Sequence, residues 1–186
     1  MSTTGHLTAI LDELSNNARL IDDAQLAQLA DEIDRAGHVF LAGAGRSGVA
    51  ITGFANRLLH LGKSVSLVGE ITSPHSRPGD LLIIGSGSGE TDSLAALARR
   101  AHASGVRIAL ITMDAGSTIG RLADVTVVLP GASPKLRGGN AVSSIQPMGS
   151  AFEQLAFLTY DAVVLELMAR SGQTTDDMFR RHADLE

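Results

Sequence analysis

The sequence predicts a single α/β domain in which helices cover both faces of a doubly wound sheet of about five parallel strands, giving three layers. Three observations support this prediction. Short apolar runs alternate with helical segments along most of the 186 residues. The runs are continuously apolar, which is typical of strands buried on both faces. Two of the runs end in glycine-rich stretches that lead into helices.

Two helices are predicted before the first strand. Apolar residues at helical spacing predict the first helix over about residues 4–20. The second begins after Asp22, which forms the pattern of a capping box with Gln25, and it ends at Gly37. These helices occupy about residues 4–36 and precede an α/β core at about 38–171 and a C-terminal tail at 172–186.

The core alternates strands with helices. Strands are predicted at residues 38–42, 65–68, 81–84, 107–112 and 125–129. Helices are predicted at residues 47–61, 91–104, 118–122 and 149–171. Strands joined by helices form right-handed βαβ units, and their functional loops lie at the carboxyl ends of the strands.

The composition argues against several classes of protein. There is no cysteine, which rules out disulfides, thiolate metal sites and cysteine nucleophiles. A formal net charge of −5 and 3% aromatic residues argue against nucleic-acid binding. We expect a cytoplasmic protein, because neither a leader pattern nor an apolar run of about 18–20 residues is found. No spacing of His, Asp and Glu resembles a metal site.

The first glycine loop follows a strand and fits the pattern G-x-G-x-x-G from Gly43 to Gly48. Glu70 follows at the end of the next strand, where a dinucleotide-binding fold has its ribose-binding acid, so a nicotinamide dinucleotide site is one alternative. A tight turn without a ligand is another. A helix N-terminus offers N–H groups to any phosphate. The candidate substrate-binding residues here are Gly45, Arg46 and Ser47.

The second glycine loop, at residues 85–91, alternates glycines with hydroxyl residues before a helix. Its N–H groups and hydroxyls can converge on one small anion, which a phosphorylated small molecule would supply. The alternative is a polar turn in which Ser88 or Thr91 caps the helix. Because the net charge is negative, local dipoles rather than the overall field must hold the anion. The candidate residues are Ser86, Gly87, Ser88, Gly89, Glu90 and Thr91.

Two titratable residues are candidates for acid–base catalysis. Glu153 shares a mostly apolar helix face with Ala156 and Tyr160, which suits a partly buried general base. The alternative is a capping box formed by Ser150 and Glu153. His60 lies near the end of its helix, where an imidazole is also a favourable partner for the helix C-terminus. The residues alone leave both alternatives open.

These motifs resemble a known family. Residues 43–47 and 86–91 resemble the sugar isomerase (SIS) domain. A narrower resemblance to the 6-phospho-3-hexuloisomerase family covers nearly the whole chain and rests on residues 57–62, 68–74, 146–149, 152–153 and 181–186. Ile71 departs from the family pattern, which often has Thr there, and we cannot align the loop at residues 131–140.

The resemblance implies a doubly wound, flavodoxin-like SIS domain without a cofactor or metal. Its implied activity is the interconversion of 3-hexulose 6-phosphate and fructose 6-phosphate through a cis-enediolate, in the ribulose monophosphate pathway of formaldehyde fixation. Glu153 would be the proton acceptor, and this role is now favoured over the cap. His60 would assist ring opening or proton shuttling, in its own or a neighbouring subunit. Ser47 and residues 86–91 would bind substrate, the latter around its phosphate.

The resemblance also implies a homotetramer that works with a 3-hexulose-6-phosphate synthase. Three other functions stay open. One is a different SIS isomerase, acting on arabinose 5-phosphate or a heptose phosphate. Another is a non-catalytic phosphosugar-binding module of the kind found in regulators. The third is a nicotinamide-binding protein built on the first glycine loop.

Overall fold

The computed structural model describes residues 1–134 and 142–185, so residues 135–140 of the loop that could not be aligned lie outside the described residues. Helices and strands follow the predicted order as far as residue 171, and the predicted C-terminal tail contains one further short helix. They are α1 (Thr3–Ala18), α2 (Asp23–Arg35), β1 (Val39–Gly43), α3 (Gly45–His60), β2 (Val65–Leu67), β3 (Leu81–Gly85), α4 (Asp92–Ala103), β4 (Arg107–Thr112), a 3-10 helix (Gly120–Leu122), β5 (Val125–Val128), α5 (Ser150–Ser171) and α6 (Thr175–Phe179).

The five strands of the described residues form one parallel sheet in the order β2-β1-β3-β4-β5. This confirms the predicted doubly wound architecture. The strand order reverses between β1 and β3, and a crevice opens at such a point beyond the carboxyl ends of the strands. Gly43 at the end of β1 pairs with Gly85 at the end of β3. The two glycine loops therefore begin side by side.

Successive residues of each central strand enter two different cores. Leu41 and Ile83 pack on the face covered by α2, α3 and α5. Ala42 and Ile84 pack on the opposite face, which α4 and the 3-10 helix cover. Both sets are buried. This two-sided burial is the physical reason for the continuously apolar runs in the sequence.

Helix α5 lies inside the helical layer, where it packs against α1, α2 and α3. Its buried side chains include Phe152, Leu155 and Tyr160, and the Tyr160 ring stacks on Phe54 of α3 at 4.7 Å between centroids. This position explains the largely apolar sequence of the helix. In the part of the chain that the structure describes, no helix combines the length and the apolarity needed to cross a membrane.

The start of α2 matches only half of its predicted capping box. The Asp22 side chain caps the helix and accepts a hydrogen bond from Ala24 N at 2.9 Å. The Gln25 side chain does not complete the box, because its Oε1 accepts a hydrogen bond from Val128 N at 2.8 Å. Strand β5 is an edge of the sheet, so Gln25 supplies an acceptor that a further strand would otherwise provide.

The C-terminal segment packs on the end of α3. Helix α6 begins with a capping box between Thr174 and Asp177. Arg181 Nη1 then donates hydrogen bonds to His60 O at 2.8 Å and to Gln173 Oε1 at 2.7 Å. Since His60 ends α3, the segment satisfies a carbonyl that this helix cannot pair within itself.

Candidate active site

A cavity of about 440 Å³ opens between the loops that follow β1 and β3. Most of the residues predicted for the site line it. These are Gly45, Arg46, Ser47, Ser86, Gly87, Ser88, Thr91 and Glu153. The cavity volume falls in the range of small-molecule sites, and its position is the crevice expected for a doubly wound sheet.

The first glycine loop owes its pattern to a close approach of α3 and β1. A Cβ on Gly43 would lie 2.9 Å from Gly48 Cα, and a Cβ on Gly48 would lie 3.0 Å from Gly43 O. Gly45 has a φ of 57° and faces open space. Glu70, the acid of the dinucleotide alternative, is exposed and is absent from the described lining of the cavity. Packing thus accounts for the glycines without a dinucleotide.

The second glycine loop is held in shape by the end of β4. Ser86 is 3% exposed, and its Oγ accepts a hydrogen bond from Gly89 N at 3.2 Å. Thr112 Oγ1 and Met113 N both donate to Gly87 O, at 3.1 and 3.0 Å. Thr91 occupies the N-cap position of α4, but its side chain makes no capping hydrogen bond. The N-terminus of α4 therefore opens on the cavity, where its N–H groups suit an anion.

Gly89 and Glu90 are placed differently from the prediction, because they contact the segment after β4 and not the cavity. Gly89 has a φ of 61°, and a Cβ there would lie 2.0 Å from Ser117 Oγ. Glu90 Oε1 accepts a hydrogen bond from Thr118 N at 2.5 Å. Hydrogen bonds from the backbone and side chain of Thr118, aided by Arg121, lower the pKa of Glu90.

Glu153 lies in the first turn of α5 and faces the first glycine loop. Its side chain is 20% exposed and forms an ion pair with Arg46, whose side chain is 65% exposed. The predicted alternative of a capping box with Ser150 is wrong. The N-cap residue is Gly149, no side chain caps this helix, and Glu153 N donates to Gly149 O at 3.0 Å. The carboxylate is thus free of any capping role.

His60 lies at the other end of α3 from the cavity. Gly45 and His60 are the first and last residues of this helix, about 22 Å apart at a rise of 1.5 Å per residue. His60 is 4% exposed, and its ring stacks on His182 at 5.2 Å between centroids. The structure therefore does not bring His60 to the cavity of its own chain.

Several lining residues were not among the predicted site residues, including Met113, Pro147, Met148 and Phe152. Phe152 and Met113 form the floor, since a Cβ on Gly87 would lie 2.8 Å from Met113 Cε and 3.1 Å from Phe152 Cδ1. Pro147 and Met148 belong to the segment 146–149 whose resemblance was noted from sequence. Met113 follows β4, and position after a strand was the one signal that could have indicated it.

The cavity brings together the groups that a reaction on a small phosphorylated molecule requires. Residues 85–88 and the α4 N-terminus present hydroxyl and N–H donors of the kind that suit a phosphate. Glu153 supplies a carboxylate that can accept a proton, and Arg46 supplies a cation beside it. Within residues 1–134 and 142–185, no cluster of three or more His, Asp or Glu side chains could hold a metal ion.

Comparisons with known proteins show the family to which the chain belongs. Residues 32–158 match the family model of the SIS domain. The whole chain is 46% identical to the whole 3-hexulose-6-phosphate isomerase of Bacillus subtilis (strain 168). It is 39% identical to the 3-hexulose-6-phosphate isomerase of Mycobacterium gastri, with 98% of this chain and 91% of that protein covered.

A solved structure from Methanococcus jannaschii, for which a molecular function of 3-hexulose-6-phosphate isomerase has been inferred, is similar throughout. Its TM-score is 0.82 at 34% identity, with 95% of this chain and 98% of that chain covered. The resemblance predicted from sequence is confirmed. The chain belongs to the SIS-domain family and, within it, groups with the 3-hexulose-6-phosphate isomerases.

Proposed function

We propose that this protein is an isomerase that interconverts 3-hexulose 6-phosphate and fructose 6-phosphate. The observation that carries the proposal is a carboxylate, Glu153, in the same cavity as a glycine–hydroxyl loop suited to a phosphate. The full-length similarity to isomerases of this name supports the choice of substrate. Loop 85–91 and the N-terminus of α4 hold the phosphate, and the carbonyl end of the sugar faces Glu153.

The reaction moves a carbonyl from C3 to C2. Glu153 takes the proton from C2, the C–H electron pair becomes the C2–C3 double bond, and the C3 carbonyl becomes an oxyanion. The hydroxyl proton on O2 passes to O3. Glu153 then returns its proton to C3, which leaves the carbonyl at C2. One base serves both steps through a cis-enediolate, and neither a cofactor nor a metal is required.

Arg46 changes partner during this reaction. In the structure its guanidinium neutralises the Glu153 carboxylate. Once Glu153 carries the proton, the negative charge lies on the substrate oxygen next to the carbon that lost it. A cation already beside the base can pair with that oxygen, so Arg46 stabilises the enediolate. Its exposed side chain has the freedom to make this exchange.

His60 acts in the cavity of a neighbouring copy, in a homotetramer. Two observations support this proposal. His60 lies about 22 Å along α3 from its own cavity. Large apolar side chains are also exposed on α3 and α5, namely Val49, Leu59, Phe157 and Leu158, which suits an interface between copies. Because His182 stacks on the His60 ring, the C-terminal segment must shift for the imidazole to reach a substrate.

The proposed pathway and cellular location follow from the proposed substrate. The 3-hexulose 6-phosphate is formed by a 3-hexulose-6-phosphate synthase, and the pair of reactions belongs to the ribulose monophosphate pathway of formaldehyde fixation in the cytoplasm. Arabinose 5-phosphate and heptose phosphates are the competing substrates for an SIS isomerase, so each is assayed beside fructose 6-phosphate.

The decisive experiment follows turnover of fructose 6-phosphate to its 3-keto isomer by NMR, with the variant Glu153→Gln. We expect this variant to bind the phosphosugar as tightly as the unmodified protein and to lose at least about 10²-fold in kcat, because the amide cannot accept the proton. Glu166→Gln, an exposed position on the same helix, is the matched control. Undiminished turnover by Glu153→Gln refutes the assignment of Glu153 as the base. Faster turnover of arabinose 5-phosphate than of fructose 6-phosphate refutes the proposed substrate. Binding of phosphosugars without any turnover refutes the proposal that the protein is an enzyme.

Mixed oligomers test the role of His60. Differently tagged His60→Ala and Glu153→Gln chains are co-expressed, and the hybrids carrying both tags are isolated. If His60 serves a neighbour, each parent is inactive, whereas hybrids regain activity in sites that combine an intact Glu153 with an intact His60. Full activity of His60→Ala alone, or inactive hybrids, contradicts the proposal.

A further inference from the structure

A partly buried polar contact joins α1 to the segment in front of α5. Gln146 Nε2 donates a hydrogen bond to Glu13 Oε2 at 3.2 Å, and Gln146 is only 8% exposed. The Gln146 N–H donates to Ser144 Oγ at 3.0 Å. Neither Glu13 nor Gln146 belongs to the described lining of the cavity. The reaction proposed above uses neither of them.

This contact is poorly suited to stabilising the fold. Glu13 Oε1 and Asn17 Nδ2, one turn apart on α1, are buried and have no hydrogen-bond partner among the described residues. Buried polar atoms without partners cost free energy, whereas apolar side chains of similar size would fill the same space without that cost. The polar pair therefore indicates that this contact holds neighbouring residues in a defined position, and that stability is not its main role.

The geometry concerned is the start of α5. The turn at residues 146–149 contains Met148, whose φ of 57° is unusual for a residue with a side chain. Ser150 N donates to Pro147 O at 3.2 Å, and Glu153 N donates to Gly149 O at 3.0 Å. The turn is thus bonded directly to the first turn of the helix. Any shift of the turn moves the cavity wall and the Glu153 carboxylate together.

We infer that Glu13 is a positioning residue for the reaction. Through Gln146 it fixes the turn at residues 146–149, and the turn fixes Glu153 against the carbon that loses its proton. Glu13 touches no substrate. The inference rests on the proposed function, because it takes Glu153 as the base. It assigns to the N-terminal helix, which lies outside the βαβ core, a part in setting the reaction rate.

Displacing a base by about 1 Å can lower the rate by about 10²-fold, whereas the phosphate is held by loop 85–91, which follows β3 and is not part of the turn at residues 146–149. Losing the Glu13 contact should therefore lower kcat and leave KM unchanged. For Glu13→Ala and Gln146→Ala we expect kcat to fall at least about 10-fold, with KM within about 2-fold of the unmodified protein. Glu13→Gln keeps an acceptor for Gln146 Nε2 and should restore kcat. Asp12→Ala, at an exposed neighbouring position, is the matched control.

A double variant tests whether the two residues act through one contact. If they do, kcat of Glu13→Ala with Gln146→Ala is no lower than that of the worse single variant. A second double variant, Glu13→Leu with Gln146→Met, replaces the polar pair by apolar side chains. We expect it to keep or raise Tm and still to lose kcat, which a merely structural role would not produce.

The outcomes separate this inference from the proposed function. Isomerase activity that is missing from the unmodified protein refutes the proposed function itself. If the unmodified protein is active, wild-type kcat in both single alanine variants refutes the inference. Losses that multiply in the double alanine variant also refute it, as does an apolar double variant with wild-type kcat.

Discussion

Replacing Gly89 by alanine tests why the second glycine loop needs its third glycine. A φ of 61° costs an L-residue about 1–2 kcal/mol. The new Cβ would also lie 2.0 Å from Ser117 Oγ and 2.5 Å from Ser117 Cβ, so the segment carrying Ser117 must move. Such overpacking adds about 1–3 kcal/mol. We expect Gly89→Ala to lower the free energy of unfolding by about 2–5 kcal/mol, which corresponds to about 4–20 °C in Tm.

The assay is equilibrium unfolding in urea at one protein concentration, since unfolding of an oligomer depends on concentration. Gly45→Ala is the matched control, because Gly45 has a similar φ of 57° but nothing within 4 Å of its added Cβ. It should show only the backbone cost of about 1–2 kcal/mol.

The variant Ser117→Gly removes the two atoms with which the Gly89→Ala side chain would clash and leaves only the ordinary contact with Thr112 Oγ1 at 3.5 Å. The double variant should therefore be more stable than the sum of the two single effects predicts, by about 1 kcal/mol or more. Equal losses for Gly89→Ala and Gly45→Ala would refute the reasoning. So would strictly additive effects of Gly89→Ala and Ser117→Gly.

Three further predictions follow from contacts outside the cavity. Hydrogen bonds lower the pKa of Glu90 below its ordinary value of 4.5. The Glu90 carboxylate therefore stabilises the fold fully at a pH above 4.5. This stabilisation is lost as the pH falls through the lowered pKa. The Tm advantage over Glu90→Gln should thus shrink from about pH 6 to pH 3, and a constant difference would contradict this. Gln25→Ala leaves Val128 N without its acceptor and should cost about 1–3 kcal/mol in urea unfolding, whereas Gln25→Glu should not. Arg181→Ala should speed hydrogen exchange in residues 174–185 and at the end of α3; unchanged exchange there would count against the contact with His60.

The architecture could be predicted because its signals are local. A strand covered on both faces needs apolar residues at successive positions, and Leu41 with Ala42 or Ile83 with Ile84 meets that need within the strand itself. The predictions of helix capping were less accurate, because a side chain that fits a capping pattern can instead bond to a residue distant in sequence. The Gln25 side chain bonds to the edge strand β5, and α5 begins at Ser150 with Gly149 as an N-cap residue that has no side chain to cap it.

The separate components of the candidate site could be predicted from the sequence. Glycine–hydroxyl loops after strands and a carboxylate on an apolar helix face are patterns a few residues long. Arg46 and Glu153, however, are 107 residues apart in sequence, and only the packing of α3 against α5 makes them an ion pair. The contact between Glu13 and Gln146 spans 133 residues and left no local pattern to recognise.

The sequence by itself determined the class of sheet, the two loops able to hold a phosphate and a carboxylate able to move a proton. Those features depend on residue types and spacing within one element. The tertiary structure decided which of them meet. It brought Arg46 to Glu153, turned Gly89 and Glu90 toward Ser117 and Thr118, and left His60 far from the cavity. The physical reason is that such distances depend on strand register, helix length and helix packing, which join residues remote in the chain.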